Sequence, residues 1–174
     1  LSFFLVNLGQ IGVLIHEVPF LTDMGISPVV AASILGFTSG LGILGKLIAG
    51  YTADRMSRLS ITFVSFVLQA VGLFMLMKAG NILLIWAFVI VFGMSIGSTA
   101  VVRPLMVSEY FGEASFGAVY GWIELTRLLG ATIGPLFAGW IYDITQSYTW
   151  AFIPFMAFFV LGILPLIFIR KVKL

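Results

Sequence analysis

Six apolar segments, each close to the length of a bilayer crossing, constrain this chain more than any other feature. A membrane-spanning helix takes about 20 mostly apolar residues. Stretches of that kind lie at 1–21, 28–53, 60–78, 81–104, 115–142 and 149–170. The links between them are short and carry turn chemistry: Thr22-Asp23-Met24-Gly25, Asp54 to Ser60, Ala79-Gly80-Asn81, Glu109 to Ser115, and Asp143 to Ser147. Ser27-Pro28 has the form of a helix N-cap followed by proline at the first helical position. Links this short fold neighbouring helices antiparallel, and none separates two domains. Residues 1–174 are therefore expected to form one all-α, six-helix transmembrane bundle.

The composition agrees and narrows the function. The chain is 61% hydrophobic and 9% charged, whereas a soluble domain is nearer half apolar and about a quarter charged. The few basic residues form no stripe, which argues against nucleic-acid binding. There is no cysteine and a single histidine, His16, so neither a disulfide framework nor a zinc site is expected. No nucleophile–base set suggests an enzyme, and no cofactor is implied. The first apolar segment opens at Leu1 without a basic flank and is interrupted by Asn7, Gln10, His16 and Glu17. It is read as the interior of a longer chain rather than as a secretory signal.

Lysine and arginine set the expected orientation. With both chain ends on one side, that side receives Arg55, Arg58, Arg103, Arg170, Lys171 and Lys173, and the other only Lys78. The positive-inside rule then puts both ends in the cytoplasm, with the plasma membrane as the expected location.

Charges inside the spans are candidate functional residues, because ionisable groups in a bilayer are costly. Lys46 lies in the second segment about 10 Å of helix before its exit. It either snorkels to the interface or lines a cavity. The exit itself is Gly50-x-x-x-Asp54-Arg55-x-x-Arg58. In the fifth segment Tyr120, Glu124, Arg127, Ala131 and Gly134 share one helical face. Arg127 is roughly 18 Å deep along the helix, too deep to snorkel with ease, and Glu124 one turn earlier can pair with it. The two are either a self-satisfied structural pair or a cavity-lining cation with an acid that tunes it. Asn7, Gln10, Leu14 and Glu17 form a polar stripe on the first helix, directed at protein or water. Gly36-x-x-x-Gly40, and after it Gly42, Gly45 and Gly50, read as helix-packing surface, as does Gly93-x-x-x-Gly97.

Gly45-Lys-Leu-Ile-Ala-Gly-Tyr-Thr-Ala-Asp54 aligns with Gly134-Pro-Leu-Phe-Ala-Gly-Trp-Ile-Tyr-Asp143 at an offset of 89. The second helix runs inward and the fifth outward, so the repeat is inverted. Inverted three-helix repeats within a six-helix half describe major facilitator transporters. Gly50-x-x-x-Asp54-Arg55-x-x-Arg58 resembles the loop motif of the major facilitator superfamily. Gly134-Pro135-Leu136 to Gly139, with Asp143, is similar to its penultimate helix. Glu109-Tyr110-Phe111-Gly112 followed by Phe116-Gly117-Ala118-Val119-Tyr120-Gly121 resembles a link in its monocarboxylate porter and oxalate/formate antiporter branch.

The resemblance implies the C-terminal six of twelve helices, a missing N-terminal half as partner, and an alternating-access carrier. The expected cargo is a small organic anion, a mono- or dicarboxylate, moved by symport or antiport with a proton or an exchanged anion. Lys46, Arg127, Tyr120, Asn7 and Gln10 would hold the anion. Glu124 would carry a proton or tune the charge, and Gly50, Asp54, Arg55 and Arg58 would form a cytoplasmic gate. The alternatives are a proton-coupled exporter of amphipathic compounds and a non-transporting membrane scaffold.

Overall fold

The computed structural model describes residues 1–169. In order, the helices are α1 (Ser2–Asp23), α2 (Pro28–Ala53), α3 (Arg58–Met77), α4 (Ile82–Thr145), α5 (Tyr148–Leu161) and α6 (Leu164–Ile167). Arg170, Lys171 and Lys173, counted above toward the orientation, lie outside the described residues, as does the end of the sixth predicted segment.

Local chemistry accounts for several boundaries. Ser27 caps α2 by accepting from the Val30 N–H at 3.4 Å, with Pro28 behind it as expected. Asn81 caps α4, accepting from the Leu84 N–H at 3.0 Å. The α1–α2 link turns at Gly25, whose φ of 84° is left-handed. α4 has 64 residues, about three times the length that a bilayer core accommodates. It is divided at Gly112, where φ 74° and ψ 170° leave the helical region for backbone that only glycine adopts readily. The chain doubles back there, which brings Arg103 before the break against Glu124 after it. Each arm of α4, 82–111 and 113–145, is long enough to cross a membrane. α5 and α6 form one further apolar span, Tyr148–Ile167. Among the described residues there are thus six apolar helical stretches with alternating direction. The "Gly112 end" below holds the start of α1, the α2–α3 link and Gly112; the "Asn81 end" holds the α1–α2 and α3–α4 links.

One predicted boundary is corrected. Arg103-Pro104 was expected to close the fourth helix, but the helix runs through Pro104 to Phe111. An interior proline is tolerated in a membrane helix because neighbouring groups satisfy the freed backbone. Arg103 is consequently buried, 9% exposed, rather than at an interface, and drops out of the orientation argument.

The packing is interleaved between the two three-helix repeats. α2 crosses the first arm of α4 backbone to backbone: Gly45 meets Met94, Gly97 meets Gly42, and Gly93 meets Thr38. The matching crossing joins α1 to the second arm, where Gly130 and Gly134 meet the backbone of Phe4 and Leu8. Small residues permit such close approach in lipid. Gly36, Gly40 and Gly50 do not take part: no atom of the described chain lies within 4 Å of a Cβ built on any of them. The Gly36-x-x-x-Gly40 packing surface is therefore unoccupied within this unit, and the packing register is that of Gly42 and Gly45.

The centre carries the mark of the repeat. Gln10 Nε2 donates to Thr99 Oγ1 at 3.0 Å and to Gln69 Oε1 at 2.9 Å, all buried. Residues 10 and 99 are 89 apart, the same offset that aligns Gly45 with Gly134. Equivalent residues of two repeats touch only at the axis relating them, so this bond sits on the pseudo-two-fold in the membrane plane. Around it Phe66, Phe88, Phe92, Phe152, Phe155 and Phe159 are completely buried, with Phe155 and Phe159 filling the space left by Gly12 and Gly9 of α1.

Candidate functional site

The two arms of α4 bring three charges together. Glu124 accepts from Arg103 Nη1 through one carboxylate oxygen and from Arg127 Nε through the other, both at 2.5 Å. The first bond crosses the Gly112 hairpin; the second is local, at i,i+3. The Tyr120 hydroxyl approaches the same carboxylate, and its ring stacks on Phe116 at 5.3 Å. Counted along the helix, Arg103 is about 13 Å and Glu124 about 18 Å from Gly112. Helical side chains tilt toward their own N-terminus, so in antiparallel arms these two converge. The cluster therefore lies near half the depth of a roughly 30 Å core.

Two cations and one ionised acid leave one net positive charge. Arg103 Nε is buried without an acceptor among the described residues, and the Arg103 guanidinium lies 5.6 Å from the Phe3 ring centroid. Arg127 and Glu124 remain partly open, with 32% and 28% of their side-chain surfaces exposed. The arrangement is a pair of guanidiniums sharing one carboxylate, with donors to spare and access from one side. A second carboxylate can be gripped by such planar forks.

The structure brings together Tyr120, Glu124 and Arg127, the face expected from their spacing. Arg103 is the residue that the spacing missed. A fourth segment ending at 104 puts Arg103 at an interface, although the apolar run continues through Leu105, Met106 and Val107. Lys46 was expected to share the site with Arg127. Instead it is exposed on α2, and no ion pair joins it to the cluster among the described residues. Asn7 is buried and its Nδ2 donates to the Arg127 carbonyl at 2.7 Å, which positions that turn of helix. Gln10 is committed to Gln69 and Thr99 at the core. His16 Nε2 donates to the Pro135 carbonyl at 3.0 Å and its ring packs on Tyr148 at 5.0 Å.

At the Gly112 end, Arg58 Nη1 donates to Glu109 Oε2 at 2.9 Å, linking the start of α3 to α4 just before its break. Arg55 folds over the Tyr51 ring at 3.8 Å. Asp54 is exposed at the C-cap of α2 and makes no ion pair among the described residues. Gly50, one turn earlier, presents a bare helix surface.

The family model described as Major Facilitator Superfamily matches residues 1–173. The chain belongs to the major facilitator superfamily. Within this superfamily it is similar to monocarboxylate transporter 13 of Rattus norvegicus, 24% identical over 162 residues, 91% of this chain and 37% of the relative. Monocarboxylate transporter 14 of Mus musculus is 29% identical over 129 residues, 73% of this chain and 25% of the relative. Over a shorter stretch of 64 residues, 37% of this chain and 12% of the relative, the Homo sapiens monocarboxylate transporter 14 is 38% identical. The chain thus spans less than two-fifths of the length of these relatives. It is a multi-pass membrane protein of a transporter superfamily, not an enzyme.

Proposed function

We propose that this unit is the C-terminal half of an alternating-access carrier for small carboxylates, and that the Arg103–Glu124–Arg127 cluster holds the anion. The observation that carries this reading is the net positive charge at mid-depth: a structural bundle has no need of two arginines there, each costing at least about 2.5 kcal/mol on insertion scales. The names of the relatives support a carboxylate as cargo. Tyr120 borders the site, Asn7 positions Arg127, and Lys46 extends the positive surface along α2 toward a second six-helix unit. One net positive charge suits a monoanion, and Glu124 sets that count. The Gly112 end is cytoplasmic, because Arg55 and Arg58 lie there and Lys78 lies at the other. The membrane is the plasma membrane.

The test is reconstitution in liposomes with counterflow of labelled lactate and succinate. Saturable lactate counterflow is expected when this unit is present with its second six-helix partner, and not from the isolated chain as a demonstrated monomer. Counterflow of amphipathic cations with none of either carboxylate would replace this reading with the exporter.

The turn at Asp54, Arg55 and Arg58 acts as a gate in this reading, with the Arg58–Glu109 pair made in one state and broken in another. Asp54→Asn and Arg58→Gln are each expected to slow exchange between states while leaving equilibrium lactate binding unchanged. Residues that bias state populations without touching a ligand act this way. A large loss of affinity at unchanged turnover would contradict the assignment.

A further inference from the structure

Glu17 is an acid of the apolar interior that the anion site leaves unused. It is wholly buried, 0% exposed. One oxygen, Oε1, accepts from the Thr38 hydroxyl at 2.8 Å; the other, Oε2, is buried with no partner among the described residues. The residue lies about 9 Å of helix short of the Asn81 end. The carbonyl of Thr38 packs against Gly93, so the carboxyl occupies the junction of α1, α2 and the first arm of α4.

Among the described residues no cation forms an ion pair with it, and Lys78, the cation of the Asn81 end, is exposed. On its own helix, His16 points at the Pro135 carbonyl and Tyr148, and Asp23 faces Tyr142. On α2, Lys46 is two turns further toward the Gly112 end and exposed. On α4, Arg103 and Arg127 are both engaged by Glu124, and the titratable group α5 presents on this side is Tyr148. An unpaired carboxylate sealed from water costs several kcal/mol, and the neutral acid far less. Glu124, between two guanidiniums, is in the opposite situation and stays ionised.

We propose that Glu17 is the proton-binding group of this carrier. The proposal rests on the carrier reading above and names its coupling ion. In the conformation described, Glu17 is a neutral acid occluded between α1 and α2. When those helices part and admit water, the Oε2–H bond breaks. Its electron pair stays on the carboxylate and the proton passes to water; the reverse step reloads the site from the opposite side. Thr38 is built for this exchange, since its hydroxyl also lies 3.1 Å from the Ile34 carbonyl of its own helix. Loss of Glu17 therefore leaves no orphaned donor on α2. One proton here and one monoanion at the arginines make an electroneutral load.

The decisive measurement is difference infrared spectroscopy of the membrane-reconstituted protein between acid and alkaline pH, with the Glu17→Gln variant alongside. A protonated-carboxyl C=O band is expected in the parent and absent in E17Q. A parent without the band, or a band retained in E17Q, overturns the proposal. Transport gives the functional arm. E17Q is expected to keep lactate counterflow, which moves no net proton, and to lose at least about tenfold in uptake driven by a pH gradient, within the usual range of coupling between sites. Unchanged gradient-driven uptake overturns the proposal too. If E17Q does not fold, Thr38→Val takes its place: it strips the carboxyl of its remaining partner and is expected to move both the band and the pH midpoint, and an unmoved pair rejects the assignment. Failure of the carrier reading looks different: the band is present and Glu17-dependent while Arg103 and Arg127 variants bind carboxylates like the parent.

Discussion

Arg103→Ala is expected to abolish carboxylate binding and to destabilise the protein more than Arg127→Ala does. Breaking a buried ion pair by removing one partner costs roughly 3–5 kcal/mol, because the other charge is left uncompensated. The value here falls toward the lower end, since Glu124 retains partial exposure and a second arginine. Arg127→Ala separates the two effects. Its pair is local and a third exposed, so its stability cost stays under about 1 kcal/mol, yet carboxylate binding is lost as completely. Arg127→Lys keeps the charge without the planar fork and retains weak binding. Glu124→Gln leaves both arginines without their anion and shifts preference from mono- toward dicarboxylates. Ligand-induced stabilisation of each variant with lactate and succinate, together with thermal unfolding of the ligand-free protein, reads both quantities. If Arg103→Ala and Arg127→Ala bind like the parent, the cluster is structural only.

The second large effect is expected at the glycine crossings. Gly97→Ala, Gly45→Ala and Gly134→Ala each push a methyl group into the backbone of a facing helix. Only separation of the helices relieves such a clash, because no rotamer moves a main-chain atom aside. Each is expected to cost at least the roughly 1–3 kcal/mol typical of overpacking, and leucine at the same positions is expected to prevent assembly. Gly36→Ala, Gly40→Ala and Gly50→Ala meet no atom of the described residues within 4 Å and gain up to about 1 kcal/mol of helix propensity each. Thermal unfolding in detergent separates the two sets. Equal losses in both would refute the crossing geometry. A transport defect with intact unfolding at Gly40 or Gly50 would instead mark the surface facing the second six-helix unit.

Much of this fold is legible in the sequence because lipid imposes its own ruler. Pro28–Ala53 could be read to the residue from its N-cap, its proline and the Asp54 turn. The Glu109–Ser115 link contains the true break at Gly112. What local pattern does not reveal is the partner. Gly36-x-x-x-Gly40 and Gly93-x-x-x-Gly97 look alike along the chain, yet among the described residues only the second is filled, because the facing helix decides which face is used. Likewise Glu124 and Arg127 announce their pairing by spacing, whereas Arg103 reaches them only through the hairpin. Gln10 looked like a cavity residue on a polar stripe; its neighbours Gln69 and Thr99, distant in sequence, make it a core hydrogen bond. Lys46 and Arg127 are both deep cations, but nothing in either helix's periodicity brings them together.

The interleaving of the repeats has a consequence for how the protein is made. α1, α2 and α3 leave the ribosome before the second repeat, yet α2 packs chiefly on α4 and touches α3 sparingly. Until the second repeat has been inserted, Gly42 and Gly45 face lipid tails, and Gln10 and Gln69 lack the Thr99 that completes their bond. A half-synthesised chain therefore lacks the glycine crossings that fix α1 and α2 in place. Cutting synthesis before about residue 97 should leave a product that membrane quality control recognises by its exposed amides and acid. The pair at positions 10 and 99 closes only after most of the chain has been threaded, so assembly of this transporter unit is a late and nearly all-or-none event.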